Sequence, residues 1–407
     1  LVGSEMCIRD SYSTRGFKLK AVDDGMSQMV RRLTDYRGIV DDAVIAEIYR
    51  KGRKLYKKHI LHINSTPYGG GVAEILRSLI PLMNDIGVRV GWRILVGSPD
   101  FFRVTKKFHN ALQGDQISLT RKKIRIYEET NETFAKLTHI DHDLVIVHDP
   151  QPLPLITFYR KRQPWVWRCH IDLSRPNRKL WNYLKGYVLR YDIVVYQMEQ
   201  FAARGVPGEY RIIQPSIDPL SLKNMPLSRT TIRKYVMKAG LDPKRPIIAQ
   251  ISRFDKWKDQ IGVVDVFERV RREVDCQLVL VGDMALDDPE GQEMYEKLMA
   301  AVKNKRDIHV ILGAHDVMVN AIQRAADVVV QKSLREGFGL SVTEALWKGT
   351  PVVASNVGGI PAQVKDGENG FLVDPHDHST MAERVMDIIG DRTLREKMGE
   401  KAIQHVK

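Results

Sequence analysis

Cysteine is scarce: Cys7, Cys169 and Cys276 are the only three in 407 residues. So far apart, they offer neither a CxxC pair nor a disulfide framework, which excludes a small stapled secreted domain and makes a reducing cytoplasm the expected compartment. Long apolar runs are missing too. No stretch approaches the roughly 20 apolar residues of a membrane-crossing helix, and no basic-then-apolar secretory leader opens the chain. Acids are outnumbered, with 50 Asp and Glu against 63 Lys and Arg and a formal net charge of +13. The basic surplus is interspersed with acids along amphipathic patterns. Its densest run, KGRKLYKK at 51–58, directly precedes a strand and reads as a solvated helix end, so no nucleic-acid or membrane partner is expected. With 43% hydrophobic and 28% charged residues, disorder is excluded.

What is present is a repeated α/β rhythm. At 407 residues the chain is expected to form two domains. Apolar runs at 59–65, 88–96, 144–149, 165–170 and 192–197 alternate with helical patterns, such as Val72, Ile75, Leu76, Leu79, Ile80 and Met83. A polar, proline-containing stretch, QPSIDPLSLKNMP at 214–226, interrupts them as a candidate linker. The rhythm restarts at 246–252, 276–282, 307–313, 327–331 and 350–355. Continuous apolar strands separated by helices imply parallel sheets covered on both faces, so two doubly wound domains are expected, with ligands outside the carboxyl ends of the strands. The division expected is a non-native leader at 1–11, a first domain at 12–222 and a second at 223–407. The closing KAIQHVK carries no stop signal, and truncation of the second domain is expected there.

Three constellations carry chemistry. Gly69-Gly70-Gly71 joins a strand to a helix, where backbone N–H groups and the helix dipole favour an anion. Its spacing fits neither GxGxxG nor the P-loop, and a plain flexible turn is the alternative. Arg253 and Lys258, in SRFDKWKDQ after a strand, are two cations able to converge on a diphosphate, with Lys256 between them as the alternative and an ordinary basic surface loop as the bland reading. Third is REGFGLSVTEALWKGTPVVAS at 335–355, with Glu336 and Glu344 flanking Gly337-Phe338-Gly339. The glycines open a helix, Gly349 closes it, and carboxylates in the loop and on the helix suit vicinal hydroxyls.

The last block resembles the Glu–seven residues–Glu motif of family 4 glycosyltransferases, which have the GT-B architecture. SRFDKWK and GGIPAQVKDGENGFLV are similar to other signatures of that family. NSTPYGGGVAEIL, HDPQPLPL and WVWRCHIDLS resemble its glycosyltransferring trehalose synthase branch. The resemblance runs from about residue 30 to the end. It implies two Rossmann-like domains facing across a cleft, and retaining transfer of glucose from a nucleoside-diphosphate-glucose to free glucose. It also implies no obligatory metal or cofactor, and allows a homodimer. It places Arg253 and Lys258 on the donor diphosphate, Glu336 and His170 at the donor sugar, and Glu344 on the ribose. Gly70, Gly71, Gly337, Phe338, Gly339 and Leu340 would line the donor phosphates and sugar, with Asp283 nearer the base. His148 and Asp149 would lie near the acceptor. Another acceptor within the family, or 2-epimerisation of a UDP-sugar on the same architecture, are the rival expectations.

Two competing signals are weak. Asp141-His142-Asp143 is a formal Asp-x-Asp metal motif, but it precedes a strand, and His139, His142 and His148 do not match HExxH. Cys169 adjoins His170 on one strand, so alternation sends the two side chains to opposite faces and a Cys–His pair is not expected.

Overall fold

The computed structural model describes residues 31–202, 206, 208–283 and 288–406, so the expected leader and the first residues of the expected first domain lie outside the described residues. The first half runs α1 (Asp42–Arg53), β1 (His59–Asn64), α2 (Gly71–Asp85), β2 (Arg89–Ile94), α3 (Pro99–Leu112) and α4 (Arg121–Leu137). It continues through β3 (Leu144–His148), β4 (Trp165–Arg168), α5 (Arg178–Val188), β5 (Ile193–Tyr196) and β6 (Glu209–Ile212). These six strands form one sheet, β2-β1-β3-β4-β5-β6, parallel throughout.

The second half repeats the plan. It comprises α6 (Arg229–Lys238), β7 (Ile247–Ile251), α7 (Gln260–Val270), β8 (Gln277–Gly282), α8 (Gly291–Val302), β9 (Ile308–Leu312) and α9 (Asp316–Ala325). Then come β10 (Val328–Gln331), α10 (Leu340–Trp347), β11 (Val352–Ser355), β12 (Gly370–Val373), α11 (His378–Gly390) and α12 (Arg392–Val406). Their sheet, β12-β11-β10-β7-β8-β9, is again all parallel. Every residue of β7, β8, β10 and β11 is buried, which is why these segments are continuous apolar runs and not alternating ones.

Each sheet holds six strands where the apolar runs predicted five. The additions, β6 and β12, are edge strands. All four residues of β6, EYRI, are exposed, and its short alternation of Tyr210 and Ile212 with charged residues is not the continuous apolar run by which the other strands were read. The expected linker, 214–226, falls between β6 and α6 and is docked against the second half. Asn320 donates to Leu222 O at 2.9 Å, Arg324 to Asn224 O at 3.0 Å and Lys348 to Asn224 Oδ1 at 2.8 Å.

Strand order positions the site. In the first sheet the chain leaves β1 towards β2 and returns to the other side at β3; in the second, β7 and β10 flank the same kind of reversal. Loops after such strand pairs diverge and leave a crevice at the carboxyl edge. The four segments concerned contain the glycine loop, His148-Asp149, the Arg253–Lys258 loop and the loop leading to α10. Among the described residues, no helix is long and apolar enough to cross a membrane.

Candidate active site

Two helices begin at one cleft of about 380 Å³, lined by both halves. Gly70 precedes α2 and Gly339 precedes α10, and neither helix has a side chain capping its first N–H groups. Gly339 takes φ +89°, a left-handed turn that a residue with a Cβ adopts only under strain. The helix starts nearly touch: a Cβ on Gly71 would lie 3.3 Å from Leu340 Cδ1. Gly337 is constrained by the other wall, since a Cβ there would meet the His170 carbonyl oxygen at 2.4 Å. Only glycine lets this loop close against the first half.

The wall from the second half is charged. Lys258 Nζ donates to Glu336 Oε2 at 2.5 Å, and the same oxygen accepts from Ser333 Oγ at 3.1 Å and Gln331 Nε2 at 3.3 Å. Arg253 Nη1 lies 3.9 Å from Asp288 Oδ2. Glu344, only 2% exposed, accepts from Gln323 at 3.3 Å and faces Lys223 Nζ at 3.5 Å. Burial raises the Glu344 carboxyl above its ordinary value, with Lys223 opposing. Arg253, Lys258, Glu336, Gly337, Phe338, Gly339, Leu340, Glu344 and Asp283 all line the cleft, together with Gly70 and Gly71.

These charges continue into the other half. Lys106, on α3 and 8% exposed, donates to Asp255 at 2.7 Å and Asp288 at 2.6 Å. Burial lowers its pKa, but the two carboxylates outweigh that and leave it raised. Beside it, Trp257 Nε1 donates to Asn110 at 3.0 Å. Lys256, the alternative cation, is committed to this seam: it pairs with Asp115 and sits over the Trp257 ring.

The wall from the first half is built around imidazoles, with the Asp149 carboxylate beside them. His170 and Asp149 line the cleft, and the His170 backbone N–H donates to Asp149 Oδ1 at 2.7 Å. Asp149 holds φ +61° as the chain turns out of β3. His148, expected near the acceptor, is 1% exposed and is not among the residues lining the cleft. It stands behind His170: its Nδ1 and His170 Nε2 share a hydrogen bond of 2.9 Å, and its Nε2 makes another of 2.9 Å with His62 Nδ1. Burial, first of all, pulls all three imidazoles below their ordinary pKa, His62 to about 3. They are neutral near pH 7.

Several lining residues escaped sequence reasoning, and two of them, Lys223 and Gln197, bear on the chemistry. Lys223 reaches in from the connecting segment and bridges the halves, donating to Glu74 at 2.7 Å beside its contact with Glu344. Gln197 lines the cleft while 3% exposed, and its Oε1 has no hydrogen-bond partner among the described residues. Gln197 ends the apolar run DIVVYQ, a polar residue at a strand's carboxyl edge, and that was its signal; Lys223 had none. Of the Asp-x-Asp residues, Asp143 is taken up by Lys58 Nζ and the His59 N–H, at 2.9 and 2.8 Å. Asp141 and His142 approach His59 closely enough to hold an ion, but at the amino ends of the strands, away from the cleft. Cys169 is buried, and burial pushes its thiol up, which makes it a poor nucleophile.

Residues 62–203 match the family described as trehalose synthase, N-terminal domain, and residues 231–405 match glycosyl transferases group 1. A trehalose synthase of Thermococcus litoralis is 46% identical over 386 residues, 93% of each chain. One from Rubrobacter xylanophilus is 45% identical, over 93% of this chain and 92% of its own. A trehalose phosphorylase of Pleurotus pulmonarius is 30% identical, over 96% of this chain but 59% of its own. Among solved structures, the trehalose-phosphate synthase of Burkholderia xenovorans matches with a TM-score of 0.69 at 15% identity, covering 86% of this chain and 96% of that one. The sucrose-phosphate synthase of Thermosynechococcus elongatus gives 0.66 at 20%, covering 86% and 94%. These two likenesses speak for the fold, which is the GT-B arrangement.

Proposed function

This chain belongs to the trehalose synthase family and is a glycosyltransferase of trehalose-related chemistry; we propose that it moves glucose from a nucleoside-diphosphate-glucose to free glucose, with retention at the anomeric carbon. The observation that carries the reading is the juxtaposition of Arg253 and Lys258 with two uncapped helix starts at one crevice. Breaking a sugar–phosphate bond leaves negative charge on the diphosphate. Fixed cations and N–H groups aimed there stabilise the transition state more than the ground state. This donor set is cationic, the chemistry that meets a diphosphate directly.

The remaining roles follow from placement. Glu336 accepts from sugar hydroxyls, and Glu344, one helical turn further from the phosphates, accepts from the ribose. Lys223 opposes the upward pull of burial on the Glu344 carboxyl. Gln197 offers an unused carbonyl oxygen, and His170 a ring nitrogen, to the transferred sugar, with Asp149 beside the acceptor. The Asp149 carboxylate also lines the first-half wall, and its Oδ1 already accepts the His170 backbone N–H. A double-displacement route needs a carboxylate held about 5 Å from its acid partner across the reacting bond. The set supports front-face transfer instead, in which the attacking hydroxyl passes its proton to a departing phosphate oxygen.

The test is to incubate the protein with UDP-, ADP- or GDP-glucose and free glucose and to identify products by NMR. An α,α-linked non-reducing disaccharide is expected. A 2-epimerised sugar nucleotide, or glucose transferred only to some other acceptor, would replace this reading. Because a trehalose phosphorylase is among the relatives, a parallel arm with trehalose and inorganic phosphate is expected to yield no glucose 1-phosphate.

A further inference from the structure

His62 and His148 stand on the neighbouring strands β1 and β3, and His170 lies two residues past the carboxyl end of β4, so that the three step diagonally across one face of the sheet. His62 on β1 pairs in register with Ile146 on β3, and His148 lies two residues beyond Ile146. His148 pairs in register with Arg168 on β4, and His170 lies two residues beyond that. A shift of two keeps side chains on the same face of a strand. The rings accordingly line up edge to edge, with centroids 5.2 Å apart at both steps and planes within 24° and 20°. The two hydrogen bonds of 2.9 Å run from the interior to the cleft.

We propose that His62 is a positioning residue, which through His148 sets the tautomer of His170 and makes its cleft-facing nitrogen a hydrogen-bond donor. A neutral imidazole carries one N–H, and each of the two bonds needs one hydrogen, so only two arrangements satisfy the row. In the first, His62 Nδ1–H donates to His148 Nε2 and His148 Nδ1–H donates to His170 Nε2. That leaves the His170 hydrogen on Nδ1 and a bare lone pair on His62 Nε2. In the second, every hydrogen is reversed and His62 Nε2 carries an N–H.

The inner end decides between them. His62 Nε2 is buried and has no hydrogen-bond partner among the described residues. An orphaned buried N–H is costlier than an orphaned lone pair. The nearby Arg168 guanidinium, whose charge helps to keep the His62 ring neutral, favours the lone pair further. The first arrangement wins. His170 then presents Nδ1–H and no lone pair to the cleft, so it donates to a substrate oxygen and does not accept the proton of the attacking hydroxyl.

This inference rests on the proposed sugar transfer only for its kinetic consequence; the tautomer is a property of the protein alone. Histidine-selective nitrogen-15 NMR on the full chain, with His170 assigned by its substitution, reads it without substrate. The expected spectrum shows His170 protonated at Nδ1 and bare at Nε2. In His62→Leu the bias is lost and His170 shows mixed tautomers. Loss of one oriented hydrogen bond then lowers kcat about tenfold, with the donor KM within about twofold. His62→Asn returns an amide N–H to His148 and restores both. A wild-type His170 protonated at Nε2 overturns the proposal, as does a folded His62→Leu protein with the wild-type spectrum and kcat. If His62→Leu fails to fold, the wild-type and His62→Asn spectra decide alone. The expected spectra in a protein that makes no disaccharide would overturn the proposed function and leave the relay standing.

Discussion

The two walls of the cleft handle hydrogen bonding in opposite ways. The second-half wall uses ionised groups that neutralise one another: Lys258 with Glu336, Arg253 with Asp288, Glu344 with Lys223. The first-half wall uses imidazoles stripped of charge by burial and locked in a row. A charged wall can exchange partners when a diphosphate competes for its cations, so it suits the end of the substrate where charge builds up. A neutral row cannot exchange partners without orphaning a buried group, so it suits the end where only orientation is needed. Lys106 and Gly337 hold the two walls in contact, one by charge and one by the lack of a side chain.

The largest expected effect separates the walls by pH. The row's imidazoles are held below their ordinary pKa of about 6.5 in the fold and return to it on unfolding, so the unfolded chain binds more protons below that pH. Stability is complete above pH 6.5 and falls as pH drops. One unit lower, each histidine costs about 1.4 kcal/mol, or about 4 kcal/mol for the three. Denaturant unfolding at pH 7.5 and 5.5 measures this, and His62→Asn should remove one histidine's share. An unchanged pH dependence in that variant would mean that His62 is not held neutral.

Next comes Lys258→Ala, which removes one cation from the charged wall. Transition-state stabilisation should drop by roughly 2–4 kcal/mol, read as kcat/KM, while circular dichroism and Tm show an intact fold. Wild-type turnover would move the diphosphate site elsewhere. Gly337→Ala attacks the contact between the walls. Its methyl group would force the loop off the His170 carbonyl, and a displacement of about 1 Å is expected to cost about 100-fold in kcat. Turnover within a factor of two would show that the walls need not meet there.

The smallest effects dissect the charged wall itself. Glu344→Gln should weaken free nucleoside diphosphate and full donor alike, by about 1.5 kcal/mol, the scale of one charged hydrogen bond. Glu336→Gln should weaken only the full donor, because its partner is the sugar. Calorimetry with both ligands checks the split; equal losses for both ligands in both variants would erase the assignment.

Most of the charged wall was legible along the chain, because its parts lie close in sequence. Arg253 and Lys258 share one loop, and Glu336, the glycine turn and Glu344 share one turn and helix. Little of the imidazole wall was. His62 sits within HILHIN as one more buried strand residue, and its partner His148 is 86 positions away. Lys223 lay in a polar stretch with the composition of a spacer. The fully exposed β6 is no apolar run: Tyr210 and Ile212 alternate with Glu209 and Arg211 over four residues only.

Local information therefore determined the strand–helix alternation, the two parallel sheets and the loops that carry cations and carboxylates, because each depends on neighbours within a turn or a strand. Tertiary structure alone decided the histidine row, the approach of Gly337 to His170 and the pairing of Lys223 with Glu344 and Glu74. Those depend on parallel strand register and on the docking of the two halves, and both bring together groups whose separation along the chain leaves no periodic trace.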